Sequence, residues 1–131
     1  TTATEVLYGG AAGGGKSHLM RIAAINWCTQ IDGLQIYLFR RIRDDLIKTH
    51  LDSHNGFRNI LQPWVDAGYA TIVEDNVKFW NGSRIYLCHC QHEKDVGKYL
   101  SAECHVLLID ELTTFTERMY RQLRARVRMV A

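Results

Sequence analysis

The feature that most constrains this chain is a run of small residues at positions 8–18, which read YGGAAGGGKSH. Glycine loses more conformational freedom on folding than any other residue, so such a run is tolerated where the backbone turns tightly or lies close to another group. Positions 10–17 match the pattern G-x-x-x-x-G-K-[ST] at every fixed position. In proteins that contain this pattern it lies between a strand and a helix, so this chain is expected to have a strand before it and a helix after it.

The flanking residues agree with this expectation. Residues 4–8, TEVLY, are prone to form a strand, and residues 16–31 carry apolar side chains at helical spacing. Those side chains are Leu19, Ala23, Trp27 and Ile31. The alternative is a flexible linker that contains a lysine by chance, but a linker requires neither the strand nor the helix.

A strand, a glycine loop and a helix in this order form a phosphate-binding loop. The backbone N–H groups of the loop and of the helix N-terminus point at the phosphates. Lys16 is then expected to contact the β- and γ-phosphates, and Ser17 to bind Mg²⁺. The predicted nucleotide-binding residues are Gly10, Ala11, Ala12, Gly13, Gly14, Gly15, Lys16, Ser17 and His18.

Residues 105–111, HVLLIDE, hold four apolar residues followed by two acids. A buried strand with acids at its exposed end is common in α/β proteins, which is the alternative interpretation. A phosphate-binding loop, however, needs an aspartate at the end of a hydrophobic strand to complete the Mg²⁺ site. We therefore predict Asp110 as a metal ligand together with Ser17. Glu111 is predicted to orient water or accept its proton, so Glu111 and Lys16 are the predicted catalytic residues.

These acids also indicate the class of reaction. The guanine-reading motif Asn-Lys-x-Asp does not occur in the sequence, which disfavours a GTPase. Small-molecule kinases usually lack an adjacent Asp-Glu pair like Asp110 and Glu111. The sequence therefore predicts hydrolysis of ATP with Mg²⁺ by a P-loop NTPase of the additional-strand, catalytic-glutamate type.

The remaining residues predict an α/β fold. Strands are expected at 34–40, 70–74, 77–80, 83–89 and 105–111, and helices at 44–54, 63–67 and 117–129. Asn81-Gly82 is the strongest two-residue hairpin signal and joins two of the strands. We predict one domain over residues 1–131, with a mainly parallel sheet flanked by helices and an antiparallel hairpin insert.

Composition limits the other functions that the chain could have. No apolar stretch approaches the roughly 20 residues that span a bilayer, and no leader pattern is seen, so a soluble protein without membrane contact is expected. The net charge is only +2, so any contact with DNA would be local. The stretch CHCQH at 88–92 suggests zinc, but Cys88 and Cys90 lack the usual spacing and a second pair, which favours buried residues on a strand.

With both motifs placed, the order of features resembles the ATPase domain of phage terminase large subunits, the motors that package DNA into procapsids. YGGAAGGGKS is similar to their Walker A loop, IYLFRR to a strand that ends in arginine, and VKFWNGSRIYL to their hairpin. The most specific stretch is LLIDELTTFTERMYRQLRARVR, which resembles their Walker B strand, catalytic glutamate and following helix. The resemblance covers nearly the whole chain.

The resemblance implies partners and a setting for the protein. Double-stranded DNA, the portal protein and the small terminase subunit would be partners of a homo-oligomeric ring in the cytoplasm of the infected host cell. The chain is expected to be a fragment that lacks the polar sensor strand and the nuclease domain. Two alternatives remain open: another ring-forming P-loop ATPase, such as a helicase or recombinase-like protein, and a nucleotide-binding module that is inactive as a fragment.

One position departs from the family. Many terminases carry an arginine inside the Walker A loop, where this chain has two alanines and two glycines at 11–14. Another arginine, from this chain or from a neighbouring subunit, would then stabilise charge on the transferring phosphoryl group. The candidates for this role or for coupling to DNA are Arg124, Arg126 and Arg128, and also Arg40 and Arg41. The alternative for Arg124, Arg126 and Arg128 is an ordinary helix face exposed to solvent, and Arg40 and Arg41 could likewise be ordinary surface residues.

Overall fold

A computed structural model of the chain describes residues 4–8, 14–92, 94–95, 103–110 and 115–125. Its strands and helices alternate along much of the chain. In chain order they are β1 (Thr4–Tyr8), α1 (Gly14–Gln30), β2 (Gln35–Arg40), α2 (Arg43–Leu46), a π-helical segment (Ile47–Asp52), α3 (Phe57–Ile60), α4 (Gln62–Asp66), β3 (Ala70–Val73), β4 (Asn76–Phe79), β5 (Arg84–His89), β6 (Val106–Asp110) and α5 (Glu117–Arg124).

The six described strands form one mixed sheet in the order β1-β6-β2-β5-β4-β3. The neighbours β1 and β6, β6 and β2, and β2 and β5 are parallel, whereas β5, β4 and β3 are antiparallel. The predicted α/β class and the antiparallel insert are therefore confirmed. Within the described part of the chain β1 pairs directly with β6, and no strand lies between them.

Both faces of the sheet are covered by apolar contacts. Every residue of β6 is buried, and so are the four central residues of β2, because side chains alternate between two covered faces. One face packs against α1 through Met20, Ala24 and Cys28. The other packs against α5 through Met119 and Leu123. The carboxyl ends of β2 and β6 thus emerge side by side from a buried core.

The hairpin between β4 and β5 differs from the predicted two-residue turn. Phe79 pairs with Ser83, and the N–H of Gly82 donates to the carbonyl of Phe79 at 3.1 Å, so three residues form the loop. Gly82 has a φ of +85°, but Asn81 does not have positive φ. A two-residue type I′ turn requires positive φ at both central residues, which explains the longer loop.

Asn81 and Ser83 attach this hairpin to the neighbouring elements. The Asn81 side-chain N–H donates to the carbonyl of Cys28 at 2.8 Å, near the end of α1. The Ser83 hydroxyl donates to the carbonyl of Ile31 at 2.6 Å and accepts from the N–H of Leu34 at 3.0 Å. The hairpin therefore holds the end of α1 beside the start of β2.

The predicted helix over residues 44–54 is interrupted. It forms α2 and then the π-helical segment, whose His50 and Leu51 are buried. Short π-helical turns place side chains at angles that an α-helix does not allow, and they often occur at functional sites. The structure also contains α3, which was not predicted, before a short helix close to the predicted one. None of the described helices has the length and apolar character needed to cross a membrane.

Candidate functional site

The two sequence motifs meet at the carboxyl edge of the parallel strands. Ser17 lies in the first turns of α1, and Asp110 is the last residue of β6. The Ser17 hydroxyl donates a hydrogen bond to Oδ2 of Asp110 at 3.1 Å, across 93 residues of sequence, and both residues are buried. The two predicted metal ligands are therefore in direct contact.

Two further side chains donate to the same carboxylate oxygen. The guanidinium Nη1 of Arg40 lies 2.8 Å from Oδ2 of Asp110, and the Nε2 atom of His50 lies 2.7 Å from it. The His50 side chain is fully buried, and the Arg40 side chain is 11% exposed. Asp110 is thus held from α1, from β2 and from the π-helical segment at once.

His50 links this carboxylate to a second arginine. The Nη1 atom of Arg21 lies 3.0 Å from Nδ1 of His50. Because a guanidinium can only donate, Nδ1 must accept, and the ring proton lies on Nε2 and is donated to Asp110. Arg21 also donates to the carbonyls of Asn55 at 2.7 Å and of Thr49 at 3.0 Å. This geometry requires a neutral His50.

The pKa shifts agree with that assignment. Burial is the main cause that lowers the pKa of His50, and it outweighs the opposing hydrogen bond and charge of Asp110. For Asp110 burial acts to raise the pKa. The hydrogen bond from His50 and the charge of Arg40 nevertheless hold the pKa of this carboxyl below its ordinary value. The site therefore contains an ionised carboxylate beside a neutral imidazole.

The other predicted nucleotide-binding residues are only partly within the described chain. Lys16 is exposed and His18 half-buried, both in the early part of α1, and Gly14 and Gly15 begin that helix. Gly10, Ala11, Ala12, Gly13 and Glu111 lie outside the described residues. The predicted catalytic pair is thus described only at Lys16.

The candidate arginines are separated by the structure. Arg40 contacts Asp110, whereas Arg41 donates to the carbonyl of Gln91 and lies 5.9 Å from the centre of the Phe115 ring. Arg124 is exposed at the end of α5. Arg126 and Arg128 lie outside the described residues.

The donor set fits a magnesium ion. Mg²⁺ prefers hard oxygen ligands and is commonly held by one or two protein oxygens together with substrate phosphates. Ser17 and Asp110 supply a hydroxyl and an ionised carboxylate at 3.1 Å from each other. No group of three or more His, Cys, Asp or Glu residues that could hold a metal occurs in the described ranges, and Cys88 and Cys90 are buried in an apolar cluster.

Sequence reasoning missed Arg21 and His50. Arg21 follows Ser17 by four residues on α1, so helical spacing alone places the two side chains on one face. For His50 the sequence carries no comparable signal, because its direction depends on the π-helical turn. The chain matches no protein-family model, and no curated protein or solved structure matches it either.

Proposed function

We propose that this chain is a Mg²⁺-dependent ATPase domain of a P-loop NTPase, of the terminase large-subunit type, that powers packaging of viral double-stranded DNA. The observation that supports the proposal most directly is the hydrogen bond between Ser17 and Asp110. A glycine loop and an acidic strand end could each occur by chance. Their contact across 93 residues is what a nucleotide site of this class requires.

Each residue has a definite task in this proposal. Lys16 contacts the β- and γ-phosphates, while Ser17 and Asp110 hold Mg²⁺. When bound, the ion neutralises negative charge on the phosphates. Glu111 orients the attacking water and accepts its proton. Arg21 and His50 hold the Asp110 carboxylate in place through buried hydrogen bonds.

Packaging as the purpose of hydrolysis rests on the resemblance of the motifs and their order. The NGS sequence of the hairpin gains a physical meaning here, because Asn81 and Ser83 fix the end of α1, the helix that carries Lys16 and Ser17. The hairpin motif thus supports the site from the opposite end of α1. DNA, a portal protein and a small subunit are proposed partners of the assembled ring.

Two substitutions test the enzymatic part. Lys16→Ala should weaken binding of Mg²⁺-ATP about tenfold to a hundredfold, since a charged hydrogen bond contributes about 1.5–3 kcal/mol. Glu111→Gln should retain binding within about threefold and reduce hydrolysis at least about a hundredfold. Binding is measured by calorimetry and hydrolysis by phosphate release, with the exposed residue Lys48 changed to Ala as a control.

Stimulation tests the packaging part. We expect ATP hydrolysis by the full-length protein to increase on addition of double-stranded DNA and procapsids together. Stimulation by single-stranded DNA alone would instead favour a helicase or recombinase-like ATPase. Binding of nucleotide without hydrolysis under every condition would favour an inactive nucleotide-binding module.

A further inference from the structure

The proposed ATPase lacks an arginine in its glycine loop. Another residue must therefore supply the positive charge that stabilises the transferring phosphoryl group. An arginine in this role accelerates the reaction by about three to five powers of ten. Among the described candidate arginines, Arg40 is the one that contacts the predicted metal ligand Asp110. Arg41 turns toward Gln91 and Phe115 instead.

The sheet register brings Arg40 to the site. In the parallel pair of β2 and β6, Phe39 lies opposite Ile109, so the next residues, Arg40 and Asp110, emerge at the same level of the sheet edge. The Arg40 guanidinium and the Ser17 hydroxyl lie 2.8 and 3.1 Å from one carboxylate oxygen. They are consequently within about 6 Å of each other, close to where Ser17 would face Mg²⁺ and the phosphates.

The charges around Asp110 favour an anion. Among the described residues, Arg40 contacts this carboxylate directly and Arg21 reaches it through His50. Burial of charge is costly unless an opposite charge compensates it. A polyphosphate bound beside Ser17 would add negative charge next to these guanidinium groups, and the planar guanidinium matches phosphate oxygens well.

We infer that Arg40 contacts the terminal phosphate of the nucleotide bound by its own chain and stabilises the charge that develops there during hydrolysis. This inference rests on the proposed function. Because a guanidinium has five N–H donors, a bond to Asp110 and a bond to a phosphoryl oxygen are compatible. Arg40 therefore acts in cis and replaces the arginine that the loop lacks.

Hydrolysis of the γ-phosphate leaves Arg40 chemically unchanged. The oxygen of water forms a bond to the γ-phosphorus while the bond from that phosphorus to the β–γ bridging oxygen breaks. The electron pair of the broken bond stays on the ADP oxygen, and the water proton passes to Glu111. Arg40 keeps its proton throughout and donates to the equatorial phosphoryl oxygens, where negative charge spreads.

A transition-state analogue tests the inference in the full-length protein. Arg40→Gln retains an N–H donor for Asp110 but removes the positive charge. We expect the variant to bind Mg²⁺-ADP within about threefold of wild type, but to bind Mg²⁺-ADP with aluminium fluoride about a hundredfold more weakly and to hydrolyse ATP about a thousandfold more slowly. Arg43→Gln, at an exposed arginine at the start of α2, is the matched control and should resemble wild type in all three measurements.

A mixing experiment distinguishes cis from trans. Arg40→Gln subunits are combined with Lys16→Ala subunits, which have an intact Arg40 but no functional phosphate-binding lysine. If Arg40 acts in cis, the mixture remains inactive; recovered hydrolysis would overturn that conclusion.

Other outcomes are equally decisive. Normal binding of the analogue by Arg40→Gln, or an equal loss in Arg43→Gln, would overturn the inference. A parallel loss of Mg²⁺-ADP binding would assign Arg40 to positioning Asp110 and would also overturn it. If the wild-type protein binds no nucleotide, the proposed ATPase function itself fails. Arg40→Lys, which keeps the charge but not the fork, provides a second variant if glutamine prevents folding.

Discussion

At the scale of single residues, one oxygen of Asp110 accepts from Ser17, Arg40 and His50. A buried carboxylate needs such donors, because the removal of one partner leaves an uncompensated charge. The donors come from three segments that are distant in sequence, so their meeting depends on the completed fold. The proposed nucleotide site and the folded state thus depend on the same hydrogen bonds.

His50 makes the stability of the ligand-free protein depend on pH. Its pKa lies below the ordinary value of 6.5 when the chain is folded. The unfolded chain therefore binds a proton more readily, and the contribution of His50 to stability is complete above pH 6.5 and is lost as the pH falls. We expect the free energy of unfolding to decrease from about pH 7.5 to about pH 5.5, with a slope of at most about 1.4 kcal/mol per pH unit from this residue.

Urea unfolding of wild type and of His50→Gln at several pH values checks this expectation. Glutamine does not titrate but keeps an N–H donor for Asp110, so the difference between the two proteins isolates His50. Parallel pH dependences would contradict the assignment. The lowered pKa of Asp110 acts in the same direction at more acidic pH, through the ordinary carboxyl value of 3.8 and below it.

Among the secondary-structure elements, the apolar patterns predicted the buried strands well, because local sequence determines where they lie. Residues 34–40 and 105–111 were predicted as strands, and β2 and β6 occupy nearly the same ranges, because each is a continuous apolar run buried on both faces. The hairpin loop was predicted one residue too short. Asn81 uses its side chain and its carbonyl to bind Cys28 and Gly33, and such tertiary contacts are invisible to turn propensities.

The same limit applies to the site. Ser17 and Asp110 were predicted from their motifs, since motif spacing reports local structure. The contribution of His50 could not be predicted, because a π-helical turn changes side-chain direction within a segment that reads as an ordinary helix.

Ser83 provides a test of how the hairpin is attached. Its buried hydroxyl donates to Ile31 and accepts from Leu34. Ser83→Ala leaves both backbone groups without this partner, and we expect a loss of about 1–3 kcal/mol in the free energy of unfolding. Thr71→Ala on the exposed side of β3 is the control and should change stability by about 0.5 kcal/mol or less. Equal losses measured by chemical denaturation would show that the Ser83 contacts contribute nothing specific.

The four cysteines of the molecule are divided between the two faces of the sheet. Cys28 lies on α1 and packs in the core cluster on one face, whereas Cys88, Cys90 and Cys104 pack in the cluster on the other. All four of these described cysteines are buried, and none of them forms a disulfide. Burial raises the pKa of Cys28 and of Cys104 to about 12. Each of these two thiols is therefore almost wholly protonated at neutral pH and unreactive in the folded state.

We expect an aromatic disulfide reagent at about pH 8 to modify the native protein only as fast as it unfolds, because thiolate is the reactive form. Urea should release all four thiols, and the two faces should become reactive together if the sheet unfolds as one unit. Pulse alkylation with mass spectrometry measures each cysteine separately. Rapid labelling of Cys88 or Cys90 alone would contradict a single cooperative unit.

The direct pairing of β1 with β6 has a mechanical consequence. Their parallel ladder runs from Thr4 opposite Val106 to Tyr8 opposite Asp110. A pull along β1 would load all rungs of this ladder together in shear, which resists force far better than peeling. The antiparallel β3 and β4, pulled from the open end of their ladder, would instead separate by breaking their hydrogen bonds in succession. Tension that reached the sheet through β1 would thus act on the segment leading to the glycine loop while leaving the ladder beside Asp110 intact.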